Sequence, residues 1–176
     1  MKNKYLIVVD MQNDFISGAL GTAEAEAILP NAVKKAREFS GTVIFTKDTH
    51  DENYLNTQEG KFLPVKHCIK GTRGWQLAPE LQEIQEQKNC LVIEKPVFGS
   101  VALAQILLEE YQKDRLGSAE LIGLCTDICV ISNALLIKSY MPELPVTVDT
   151  ACCAGVSPDK HNAALKTMES CQIILK

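Results

Sequence analysis

The stretch Ala119-Glu-Leu-Ile-Gly123, followed by Leu124-Cys-Thr-Asp-Ile-Cys129, decides the fold. Its first five residues read as a buried strand, and from Asp127 to Tyr140 the apolar residues return at helical spacing. A strand running directly into a helix is the repeating unit of a parallel sheet. The same alternation continues outward in both directions. Tyr5–Val9, Thr42–Thr46, Cys90–Glu94, Pro145–Val148 and Gln172–Leu175 are short, β-branched-rich runs without polar alternation, as expected of strands covered on both faces. Helices are predicted over Ile28–Ser40, Val101–Tyr111 and Pro158–Ser170. The last opens on Ser157 as cap, with Pro158 in the first helical position. The expectation is an α/β fold, a three-layer α/β/α sandwich around a six-stranded parallel sheet.

Bulk properties narrow the function. The 176 residues suit one domain spanning 1–176, and no repeat, low-complexity tract or linker divides them. A hydrophobic share of 46% with 23% charged residues is that of a soluble globular protein. The net charge of −4 argues against a nucleic-acid partner, which calls for a basic patch. No apolar run is long enough to span a bilayer. The N-terminal run Tyr5–Val9 stops at Asp10, too short for a signal peptide. Seven cysteines, an odd number without an export signal or a CxxC pair, predict reduced thiols in the cytoplasm rather than a disulfide framework.

Ligands of open α/β sheets bind beyond the carboxyl ends of the strands. Asp10 follows the first predicted strand, Asp48 and His50 the second, Lys95 the third, and Cys125, Thr126, Asp127 and Cys129 the fourth. A carboxylate, an amine and a thiol are thus expected at one sheet edge. A lone free cysteine is most often core, an aspartate at a strand end most often a cap, and such a lysine most often solvated. Their convergence is what singles them out. Cys129 is the nucleophile candidate: Thr126 as N-cap would place it in a first helical turn, where the helix dipole and a nearby lysine would lower its pKa.

Residues 47–75 break the alternation: the stretch is polar, punctuated by glycine and proline, and holds two of the three histidines. A loop that long in a compact domain is either functional or a sign of misassigned elements, and the two histidines favour function. Asp48 and His50 point the same way on an extended segment, and with His67 they could hold a divalent metal. His161 lies on a predicted helix without a partner and reads as structural or exposed.

These residues carry a resemblance. Asp10-Met-Gln-Asn-Asp-Phe15, Glu94-Lys95 and Gly123-Leu-Cys-Thr-Asp-Ile-Cys-Val130 resemble, in order, the motifs of the isochorismatase-like cysteine hydrolases. The Asp48, His50 and His67 set and the segment Pro64–Thr72 resemble the nicotinamidase branch of that family. The resemblance implies a Rossmann-like fold and hydrolysis of the small amide nicotinamide in NAD salvage. Cys129 would be the nucleophile, Asp10 the proton carrier, and Lys95 the charge partner. The backbone N–H groups of Cys125 and Cys129 would form an oxyanion hole, beside a cis Leu124–Cys125 peptide. It further implies one divalent metal ion, zinc or else iron or manganese, with Glu59 as a further ligand and Glu52 as its competitor. Phe15, Phe62 and Leu63 would wall the ring, since the Trp-Pro pair of many nicotinamidases is missing before His67. A homo-oligomer is the expected assembly. Another family hydrolase acting on a different amide or ureide is the nearest rival. A sensor thiol would need neither Asp10 nor Lys95, and a structural zinc module would need paired cysteines.

Overall fold

The structure is a computed structural model and describes residues 2–176. Six strands form one parallel sheet: β1 (Asn3–Val9), β2 (Thr42–Asp48), β3 (Leu91–Lys95), β4 (Leu116–Leu124), β5 (Val146–Ala154) and β6 (Ile174–Leu175). Their order is β3-β2-β1-β4-β5-β6, the expected three-layer α/β/α arrangement. The chain winds from β1 out to β3, then crosses back to lay β4 on the other side of β1. The crevice at the carboxyl ends of β1 and β4 is therefore the switch point where such folds bind ligands.

Side-chain alternation along β1 builds a core on each face. Tyr5, Ile7 and Val9 join one cluster with Leu103, Leu107 and Ile137. Leu6 and Val8 join the other with Ala32, Ala36 and Leu81. The first face is covered by α5 (Val101–Gln112), α6 (Ile131–Tyr140) and α7 (Pro158–Ser170), the second by α2 (Ala23–Glu38) and α4 (Pro79–Gln87). Two shorter helices, α1 (Asn13–Ile16) and α3 (Gln58–Phe62), lie in the connections. Hydroxyl caps start several helices: Thr22 Oγ1 accepts from Ala25 N, Ser100 Oγ from Leu103 N, and Ser157 Oγ from Lys160 N. Among the described residues, no helix is long and apolar enough to cross a membrane.

The structure corrects several boundaries. Helix α2 starts at Ala23, not Ile28, because Thr22 caps it and Pro30 is carried inside. Edge strand β3 exposes Leu91 and Glu94, since nothing pairs beyond it in the sheet. The predicted helix from Asp127 is two pieces: a π-helical turn over Thr126–Val130, then α6. Thr126 is not its cap; Cys125 holds that position without a side-chain bond. Residues 47–75 are not one loop, for they include a 3₁₀ turn at Tyr54–Asn56 and α3. The Leu124–Cys125 peptide is cis.

Gly123, just before that peptide, has φ +116°, and a Cβ there would meet the Val9 carbonyl oxygen at 2.1 Å. Gly123→Ala is therefore expected to cost about 2–3 kcal/mol in urea unfolding. Gly71→Ala, also at positive φ but with open space around it, should cost about 1 kcal/mol. Equal losses would contradict the close approach of β4 to β1.

Candidate active site

The ends of four adjacent strands bring the predicted groups together. Lys95, the last residue of β3, extends its ammonium under the switch point, where Nζ lies 2.6 Å from Asp10 Oδ2, 3.3 Å from Cys129 Sγ and 3.5 Å from Asp48 Oδ1. Asp10 and Lys95 are both buried. Asp10 leaves β1 at φ +48°, in the left-handed region that aspartate tolerates better than most residues. Thr46 Oγ1 donates to Asp10 Oδ1 at 2.7 Å, whereas Asp10 Oδ2 has no hydrogen-bond partner of good geometry among the described residues and makes only the ion pair.

Burial alone would strip the proton from Lys95. Asp10 foremost, with Asp48, outweighs it and holds the ammonium charged well above the ordinary lysine range. Burial also pushes the Asp10 carboxyl up, with Lys95 opposing and Asp48 assisting. The Cys129 thiol is raised well above its usual value, first by burial and then by Asp10, with Lys95 pulling the other way. This reverses the expectation of an acidified thiol: desolvation of the buried sulfur outweighs the lysine.

The π-helical turn is tied down on several sides. Cys125 O accepts from Ile128 N at 3.0 Å and from Val130 N at 3.1 Å, passing over the N–H of Cys129. Thr126 Oγ1 and His161 Nδ1 are 2.8 Å apart, so His161 braces this turn from α7 and takes no part in the other histidine cluster. Asp127 Oδ1 accepts from Val156 N at 3.0 Å, and Asn133 Nδ2 donates to Cys129 O at 2.8 Å.

Beside the thiol, Asp48, His50, Glu59 and His67 offer ligand atoms that all lie within 4.8 Å of one another. His50 Nε2 is 3.0 Å from Asp48 Oδ2 and 3.7 Å from Glu59 Oε1; His67 Nε2 is 3.5 and 3.8 Å from the same two oxygens. Ligands about 2.1 Å from a tetrahedral metal stand about 3.4 Å apart, so this set fits a first-row divalent cation. His67 Nδ1 donates to Val65 O at 2.9 Å, which turns the lone pair of Nε2 toward the cluster. Glu52 is not part of the cluster; it is exposed and pairs with Lys66. The α3 turn decides between the two, because it carries Glu59 inward.

A cavity of about 760 Å³ joins the two groups, with Asp48, Glu59 and His67 on one wall and Cys125 and Cys129 on another. Phe15, Phe62 and Leu63 line it too, as the resemblance implies. Phe15 packs against the His67 ring, while Phe62 is 85% exposed and holds the mouth rather than the interior.

A model of the isochorismatase domain matches residues 4–175. The chain belongs to the isochorismatase family. Among its curated relatives is the Bacillus subtilis (strain 168) uncharacterized isochorismatase family protein PncA, 30% identical over an alignment of 172 residues that covers 92% of this chain and 92% of that one. The crystal structure of nicotinamidase/pyrazinamidase PncA from Bacillus subtilis superposes with a TM-score of 0.83 at 28% identity, covering 99% of both chains. That of the Pyrococcus horikoshii pyrazinamidase in complex with zinc gives 0.79 at 26% identity, over 99% of this chain and 98% of that one.

Several supporting residues of this isochorismatase fold escaped the sequence reading. Gln12 clamps the backbone of Asp48, donating to its carbonyl and accepting from its N–H, each at 2.8 Å. Asp14 Oδ2 accepts from Cys68 N at 2.7 Å and so anchors the chain beside His67. Tyr54 packs against both histidines, tilted to the His50 ring and edge-on to that of His67. Gln12 and Asp14 stand within the quoted opening motif, so polar residues there were the signal. Tyr54 had none, because its partners meet only through the folded loop.

Glu59→Ala is expected to lower divalent-metal affinity about tenfold or more, measured by competition with a chelator, while Glu52→Ala leaves it unchanged. The reverse pattern would move the fourth ligand to Glu52.

Proposed function

We propose that this protein hydrolyses nicotinamide to nicotinate and ammonia through a thioester on Cys129, and so serves NAD salvage in a reducing cytoplasm. The observation carrying this reading is the Asp10, Lys95 and Cys129 constellation at the base of a cavity whose wall is the metal-ligand cluster. The names of the similar proteins support the substrate, and seven free thiols fit the compartment.

The chemistry derives from the protonation states. The thiol is held neutral and Asp10 is its base. Asp10, ion-paired through Oδ2 with Lys95, takes the thiol proton as sulfur attacks the carboxamide carbon. Lys95 stays charged throughout and steadies the anionic sulfur and carboxylate in turn. Negative charge moves to the carbonyl oxygen, for which the N–H groups of Cys125 and Cys129 are the donors. No backbone carbonyl outside the turn, among the described residues, engages either one. Such a preorganised donor contributes about 3–4 kcal/mol. Asp10 returns the proton to nitrogen as the C–N bond breaks, ammonia leaves, and a thioester remains. Asp10 then deprotonates a water that attacks the thioester; the C–S bond breaks, Asp10 returns that proton to the Cys129 sulfur, and the product acid loses its remaining proton to solvent and leaves as the carboxylate. A divalent metal held by Asp48, His50, Glu59 and His67 would act as a Lewis acid toward the pyridine nitrogen and orient the ring, with zinc, iron or manganese suiting the donors.

Purified protein loaded with zinc is expected to release ammonia from nicotinamide, and to lose this activity on chelation. Fully metallated protein that releases none would discard nicotinamide. Cys129→Ala should lower turnover by at least about 10⁴-fold with the fold intact by circular dichroism. Asp10→Asn should cost about 10²-fold or more, since both proton transfers run through that carboxyl.

Because burial raises the Asp10 carboxyl, the base is lost to protonation at a higher pH than an ordinary carboxylate. The acidic limb of the kcat/KM profile is therefore expected above pH about 4. A limb at or below that value would contradict the base assignment.

A further inference from the structure

The cavity is larger and more apolar at its mouth than a bare pyridinecarboxamide needs. Nicotinamide has about nine non-hydrogen atoms; even at the roughly 30 Å³ that a liquid water occupies, they would fill only about a third of the 760 Å³. A cavity of this size suits a drug-sized ligand. The remaining space is bordered in part by exposed apolar side chains of a kind that soluble proteins usually bury.

Phe62, Leu63, Val97, Phe98 and Val156 all line this cavity, and all are exposed, from 37% for Leu63 to 85% for Phe62. They come from three separate segments: the end of α3, the connection from Lys95 into α5, and the connection from β5 into α7. Their meeting at one opening is a property of the fold rather than of one apolar stretch. The polar lining at Asp48, Glu59 and His67 belongs to the metal-ligand wall, so the rim has no charge of its own to recognise. Exposed apolar surface concentrated at a concave site marks something that binds there.

We infer that the Val97, Phe98 and Val156 rim, with Phe62 and Leu63, is a second subsite that takes an apolar substituent on the ring of the substrate, making alkylated ring carboxamides better substrates than nicotinamide itself. This rests on the amide reading above, which fixes the carboxamide at Cys129. The substituent is carried by the acyl half of the molecule, so it stays in place through the thioester and departs with the carboxylate. Its contacts are the same before and during reaction, and uniform binding of this kind lowers KM and leaves kcat alone.

The test is a series of 5-alkylnicotinamides from methyl to butyl, assayed for ammonia release by metal-loaded enzyme. KM is expected to fall about fourfold for each added methylene that reaches the rim, with kcat constant. In Phe98→Ala and Val156→Ser the gain per methylene should drop below about twofold. Both positions are solvent-exposed, so these variants keep the fold. Occupancy is read without turnover as protection of Cys129 from iodoacetamide, quantified on its own peptide by mass spectrometry. Protection that tightens along the series supports the subsite, and does so even where no amide is cleaved, in which case only the amidase reading fails. Nicotinamide cleaved normally with KM and protection flat or worsening along the series overturns the subsite and leaves the amidase reading intact. A gain undiminished in both variants also overturns it, by placing the substituent elsewhere.

Discussion

The buried ammonium of Lys95 is the constraint around which the rest is organised. A cation removed from water is tolerable only when paired and hydrogen-bonded. Here its neighbours are supplied by the exits of three other strands: Asp10 from β1, Asp48 from β2, and Cys129 beyond β4. Removing one partner of such a buried pair typically costs about 3–5 kcal/mol. The strand order therefore does more than place these groups near one another. It sets them so that the charge of each depends on the others, and the whole edge of the sheet must close for any of them to be stable.

That dependence explains why burial wins over proximity at the thiol. A lysine 3.3 Å from a cysteine would acidify it in water. In this enclosure the lysine is already committed to Asp10, and the sulfur cannot be solvated as an anion. The protonated thiol is therefore favoured, and the neighbouring carboxyl, itself raised, is the base proposed for it.

The fold and the strand-end groups were legible because both rest on periodicity. Each of the six apolar runs became a strand, and Asp10, Asp48, Lys95 and Cys129 stand at or just beyond the ends of four of them. His50 and His67 were legible from the polar stretch that holds them, but Glu59 was legible only through resemblance, because it joins them only once α3 folds. What could not be read was tertiary in origin. Pro30 marks a helix start in isolation, yet the Thr22 cap and the packing of Ala25 carry α2 through it. Thr126 has the chemistry of a cap, but the π-helical turn hands that position to Cys125 and frees its hydroxyl for His161. Gln12 looks like any polar residue after a strand until its amide is seen holding Asp48 by both backbone groups.

The pairing of β1 with β4 joins Asn3–Val9 to Leu116–Leu124, so the first strand made is completed by one that lies more than a hundred residues later. A chain that has made only β1, β2 and β3 lacks the β4 side of the sheet and cannot yet bury Asp10 or Lys95. Both remain hydrated through most of synthesis, and their desolvation falls to the step that docks β4. Long-range pairing of this kind is slow because the loop must close before its contacts reward it. The edge that carries Asp10 and Lys95 thus leaves water only once a segment more than a hundred residues downstream has been made and docked.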